Sequence, residues 1–92
     1  MQVNFYATLR YVVGSKMVNF NLPDRVTVQQ LLDEMLRCYP ALRRELVDEQ
    51  GNLYPHVHIF VNGRDARFLE HAMDSELTTD DSISVFPAVG GG

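Results

Sequence analysis

The residues with the most chemical potential stand at the end of the chain, where Gly90, Gly91 and Gly92 carry no side chains and close on a free carboxylate. Such a segment can lie extended in a slot too narrow for any other residue. From Val89 to Gly92 it reaches roughly 13 Å at about 3.3 Å per residue, enough to place the carboxylate inside another protein's pocket. A carboxylate is a poor electrophile, because its charge is delocalised and its leaving group is oxide, so it reacts only after activation. The glycines directly follow a strand-like run, Ser82 to Phe86, which Pro87 ends because it has no N–H to give to a ladder. A frayed end is the plain alternative, and the direct attachment to a strand favours a working tail.

Other reactive side chains are sparse. His56 and His58 have H-x-H spacing and, with His71, raise the question of zinc, but no cysteine or acidic ligands stand at supporting spacing, so no metal is expected. Cys38 lies near the end of a helical stretch and reads as a small core or boundary residue, since no nearby base activates it. Arg10, Arg64 and Arg67 read as surface charges that serve solubility, with contact to an acidic partner as the less favoured alternative.

The elements that must position the tail amount to one small domain, residues 1–87, with residues 88–92 as a flexible glycine-rich tail. A chain of 92 residues, 46% apolar, can bury somewhat more than ~60% of its unfolded surface around one core without staples. Eight Lys and Arg against twelve Asp and Glu give a net charge of −4, and scattered basic residues argue against nucleic acid as a partner. A single cysteine excludes an internal disulfide, the first residues lack a signal-peptide pattern, and no apolar run approaches the ~20 residues of a membrane span. A cytoplasmic location is the expectation.

Residues 2–8 alternate, with Val3, Phe5 and Ala7 on one side and Gln2, Asn4 and Tyr6 on the other. Leu9 to Gly14 is expected to turn the chain into a second strand, Lys16 to Leu22, in a broad hairpin. The strongest helix signal follows. Thr27 and Gln30 have capping-box spacing, Val26 and Leu31 have that of a hydrophobic staple, and Val28, Leu31, Leu32, Met35 and Leu36 form one apolar stripe. Tyr39-Pro40 closes this helix, and a shorter one through Val47 turns Leu42 and Leu46 inward. Asp48 to Pro55 reads as a loop. Val57, Ile59 and Val61 then alternate with His58 and Phe60 in a third strand ending at Asn62-Gly63. Arg64 to Asp81 is irregular, with a short strand expected at Ala66 to Phe68 and a helical turn at Leu69 to Met73.

One long helix and one amphipathic sheet make a two-layer α+β domain. By the same alternation Tyr6, Phe60 and Phe86 lie on the sheet face away from the helix. If the first, third and last strands are neighbours, these rings form an aromatic patch near the root of the tail, and with Pro87 and Val89 they are the expected partner-binding residues.

Three segments carry a family resemblance: Phe5-Tyr6-Ala7-Thr8-Leu9-Arg10 with Gly14, Val61-Asn62-Gly63-Arg64, and Leu77 through Pro87 leading to the terminal glycines. Together they resemble the MoaD/ThiS family of ubiquitin-like sulfur carriers, more closely its MoaD branch, the small subunit of molybdopterin synthase. The similarity spans the chain, although the family often has proline where Ala88 stands, glycine where Asp80 stands, and two terminal glycines rather than three.

The resemblance implies a β-grasp fold, a mixed sheet of four to five strands wrapped on the main helix with the last strand parallel to the first. It also implies that the Gly92 carboxylate attacks the α-phosphate of ATP on an E1-like adenylating enzyme. A sulfur donor then converts the acyl-adenylate to a thiocarboxylate for the molybdopterin synthase large subunit or another sulfur-accepting synthase. No cofactor is bound stably, and ATP is used by the activating partner. On this reading the chain is a carrier or small subunit rather than an enzyme by itself. Two alternatives share the same tail, a ubiquitin-like modifier conjugated to lysines and a sulfur carrier for thiamine, cysteine or tRNA thiolation, and a third is a plain interaction module whose tail is inert.

Overall fold

The helix with the capping box organises the domain. In the computed structural model, which describes residues 1–87, α2 (Val28–Cys38) starts where the spacing predicts. Thr27 Oγ1 accepts a hydrogen bond from the Gln30 N–H at 3.0 Å, and Gln30 Oε1 accepts one from the Thr27 N–H at 2.8 Å, so two otherwise unpartnered amides are satisfied together. Val28, Leu31, Leu32, Met35 and Leu36 are all buried, each contributing roughly 1.5–3 kcal/mol by leaving water. The helix ends at Tyr39, before Pro40, and α3 (Leu42–Leu46) buries both of its leucines.

The stripe packs on a five-stranded mixed sheet. β1 (Gln2–Phe5) pairs antiparallel with β2 (Met17–Asn19) on one side and parallel with β7 (Ile83–Phe86) on the other. β7 in turn pairs antiparallel with β4 (His58–Val61), and β4 with β5 (Arg64–Asp65), giving the order β2-β1-β7-β4-β5. The final strand therefore occupies the centre, and its core-facing Ile83 and Val85 are fully buried beside Val3 and Phe5. This is the ubiquitin-like β-grasp. A separate two-stranded sheet, β3 (Val26–Thr27) with β6 (Glu76–Leu77), ties the entrance of α2 to the approach of β7. Asn62 and Gly63 join β4 to β5 with φ of 52° and 85°, the pair of left-handed conformations that a two-residue hairpin requires.

Several local expectations are corrected. The first strand stops at Phe5, so Ala7 does not continue its buried face; it is exposed, with φ of 53°. Leu9 to Gly14 is not a plain turn but a short helix, α1 (Leu9–Val13), closed by the Gly14 N–H on the Arg10 carbonyl at 2.9 Å and burying Leu9 and Val13. The strand expected at Ala66–Phe68 lies two residues earlier, as β5. Ala66–Phe68 is a 3₁₀ turn capped by Asp65, whose Oδ1 accepts from the Arg67 N–H at 2.9 Å. Cys38 is exposed rather than a core or boundary residue. Among the described residues no buried side-chain polar atom lacks a hydrogen-bond partner, and no helix is long and apolar enough to cross a membrane.

Candidate functional site

The adjacency of β1, β7 and β4 assembles the three aromatic residues singled out by alternation. Tyr6 follows β1, its N–H bonded to the Val85 carbonyl at 3.2 Å, which sets its ring beside that of Phe86. The two rings stack with centroids 4.2 Å apart and planes 10° from parallel. Phe60, on β4, meets Phe86 edge-on at 5.4 Å and 88°. All three rings are half-buried: they shield one another and leave edges and faces to solvent. Edge-on and offset geometries of this kind add about 0.5–1.5 kcal/mol per pair beyond burial.

Charged groups frame the rings. The Arg10 guanidinium lies 5.2 Å from the Tyr6 ring centre, and its Nε donates to the Phe5 carbonyl at 2.8 Å, so α1 delivers a cation onto the aromatic face. At the other side His58 sits 5.9 Å from Phe60 and its Nδ1 is 2.7 Å from Asp65 Oδ2. Arg67 Nη1 approaches the same carboxylate at 3.5 Å while its Nη2 donates to the Tyr54 carbonyl at 2.6 Å. Burial alone would raise the Asp65 carboxyl, but the Arg67 backbone N–H, the His58 ring and the Arg67 charge outweigh it and hold the group below its ordinary value.

Phe86 is the last residue of β7, and Pro87 after it is buried. The expectations on Val89, Gly90, Gly91 and Gly92 lie outside the described residues. The ring cluster thus stands beside the point where those residues begin. Of the histidines, His56 stacks on Tyr54 at 5.2 Å, His58 is engaged with Asp65, and His71 is exposed. Sequence reasoning missed the His58–Asp65–Arg67 cluster. Its signal was present in Asn62-Gly63: that hairpin folds β5 onto β4 and brings Asp65 beside Phe60.

The ThiS family profile matches residues 3–92. The chain belongs to the ThiS family. It is 37% identical to small archaeal modifier protein 3 of Haloferax volcanii over all of this chain and 98% of that one. A protein of Archaeoglobus fulgidus provisionally named as a sulfur carrier is 32% identical over 75% of this chain and 77% of its own length. Among solved structures, a chain in the crystal structure of the Amycolatopsis orientalis BexX/CysO complex superposes with a TM-score of 0.79 at 27% identity, covering 99% of this chain and 98% of that one. The family of this chain is thus one of ubiquitin-like sulfur carriers and modifiers.

Proposed function

We propose that the chain carries an activated acyl group on Gly92 and that its cargo is sulfur. An E1-like partner holds ATP so that the Gly92 carboxylate attacks the α-phosphate and releases pyrophosphate. A sulfide-level sulfur then displaces AMP from the acyl-adenylate and leaves a thiocarboxylate, a strong nucleophile at neutral pH. The domain contributes position, because holding the reactive atom near its target raises its effective concentration. Ordering the glycines costs about 1–2 kcal/mol each, which hydrogen bonds from the partner's groove must offset.

The observation that carries this reading is the stacked cluster of Tyr6, Phe60 and Phe86 at the end of the central strand, one residue before Pro87. Such a cluster supplies rigid aromatic anchors where a tail would leave the fold, and the likeness to a chain seen in the BexX/CysO complex supports a protein partner there. The finer assignment is sulfur delivery to a molybdopterin synthase large subunit, supported by the resemblance of the first strand, the Asn62-Gly63 turn and the approach to the tail.

A second reading is favoured by the similarity to a small archaeal modifier protein: a lysine amine rather than sulfur attacks the same adenylate, forming an isopeptide bond. Intact mass after incubation with ATP, the cognate activating enzyme and a sulfur donor separates the two. Exchange of one oxygen for sulfur supports the carrier, and isopeptide adducts on lysines support the modifier. An unchanged mass, with full function after removal of Gly91 and Gly92, rejects both.

A further inference from the structure

We propose that the depression between α1 and β2 docks a carboxylate-bearing segment of the enzyme that activates the tail, with Arg10 as its specific anchor and Lys16 as the charge that speeds encounter. The inference deepens the activated-tail reading above, which carrier and modifier share, and rests on it. It starts from the distribution of charge. Of the chain's twelve acidic residues, Asp65 alone stands in the five-stranded sheet. Its carboxylate is taken up by His58 Nδ1 at 2.7 Å and Arg67 Nη1 at 3.5 Å. The final strand enters that sheet from an acidic turn, where Asp81 accepts from Asn62 Nδ2 at 2.9 Å and Asp24 from the Thr79 hydroxyl at 3.1 Å. The end of β7 away from the tail is therefore negative.

The tail end carries the opposite charge. Arg10 is fixed by its Nε bond to the Phe5 carbonyl at 2.8 Å and by the Tyr6 ring 5.2 Å away. Gly14, at a φ of 78°, turns the chain after α1 and brings Lys16 opposite Phe5, whose N–H donates to the Lys16 carbonyl at 2.8 Å. Phe5 is paired on its other side with Val85, the neighbour of Phe86, so both cations lie level with the root of the tail. They border one open depression with Tyr11, Gly14 and Ser15. Among the described residues neither cation is in an ion pair, which leaves the two Nη groups of Arg10 and the ammonium of Lys16 to an external acceptor.

Three features select the occupant. A chain of net charge −4 repels an acidic surface at long range, so two cations without carboxylate partners, set on one side of the tail, turn that side toward a negative partner. A guanidinium already held at Nε and against a ring loses little freedom on binding, and its planar fork matches a carboxylate with two parallel N–H···O bonds. Tyr11, 88% exposed, and Met17, 44% exposed, flank the cations with apolar surface, which a peptide segment covers and a phosphate backbone does not. The depression is also continuous with the ring cluster, because Arg10 lies over Tyr6 and Tyr6 stacks on Phe86. One partner thus meets the rings, the cations and the tail together. Lys16 is exposed and flexible, so it acts through its field, whereas Arg10 is half-buried and acts through contact.

The test is stopped-flow association of the full chain with the E1-like enzyme that activates it, beside pyrophosphate release by the same pair with ATP. Wild-type association is expected to slow by about tenfold or more between about 20 mM and about 300 mM NaCl. Lys16→Gln should lower the low-salt association rate about threefold and flatten the salt dependence, with dissociation unchanged. Arg10→Lys keeps the charge and loses the fork, so association should stay within about twofold of wild type while dissociation quickens about tenfold. Lys16→Gln lies on the exposed edge and leaves the core intact, so the test stands even if an Arg10 variant loosens α1. Association insensitive to salt, or both variants with wild-type rates, while pyrophosphate release continues, would overturn the inference and leave the activated-tail reading intact. A tRNA bound by the wild type at low salt and released by Lys16→Gln would assign the depression to nucleic acid and overturn it as well. Absence of pyrophosphate release with the wild-type chain would overturn the activated-tail reading and the inference with it.

Discussion

Replacing Phe86 by alanine separates what the ring cluster contributes to folding from what it contributes to docking. Phe86 stacks on Tyr6 at 4.2 Å and meets Phe60 edge-on at 5.4 Å. Two contacts of about 0.5–1.5 kcal/mol each, plus part of the ~3–5 kcal/mol typical of truncating a core phenylalanine, predict a destabilisation of roughly 2–3 kcal/mol for this half-buried ring. Urea unfolding followed by circular dichroism should register it as a lower midpoint with an unchanged slope. In a double-mutant cycle with Tyr6→Ala, the coupling should come to about 0.5–1.5 kcal/mol, since the two rings touch directly. Affinity for the activating enzyme, measured by titration calorimetry, should fall by roughly 30-fold, the loss of a 2 kcal/mol anchor. If the two substitutions add to within about 0.3 kcal/mol in stability, or if binding is untouched while stability falls, the stack is not the energetic and docking unit argued for it.

Other perturbations test separate links. Thr27→Ala removes a reciprocal cap and should cost about 1 kcal/mol in unfolding free energy without altering tail chemistry. Leu32→Ala, at a side chain 1% exposed beneath the sheet, should cost about 2–5 kcal/mol by the same assay. Asp65 has a carboxyl held below its ordinary value of 3.8, so its contribution is complete above that value and is lost as pH falls from there through the lower folded value. Asp65→Asn should therefore flatten the acid limb of a stability-against-pH curve, and a limb of unchanged steepness would show that the His58 and Arg67 contacts do not hold this charge. Removal of Gly91 and Gly92 should leave the thermal midpoint in place while abolishing pyrophosphate release by the activating enzyme.

Features determined by neighbours in the chain were legible without coordinates. The cap at Thr27, the stripe from Val28 to Leu36 and the stop before Pro40 follow from spacing of three or four residues, and each is found where that spacing puts it. Alternation likewise placed Tyr6, Phe60 and Phe86 on one face. Short elements escaped: α1 spans five residues, too few for a full helical stripe, and β3 and β6 have two residues each, too few for a period. β3 and β6 are defined by pairing with each other rather than by pattern.

The sequence by itself determined the helix, the sides of the strands and the run of terminal glycines. Only the tertiary structure decided that β7 enters between β1 and β4, because parallel pairing joins residues some eighty positions apart and no local pattern encodes which edge a strand will choose. That choice stacks Tyr6 on Phe86 and brings Phe60 edge-on against Phe86. The residue types are a property of the chain, and their assembly into one face is a property of the sheet.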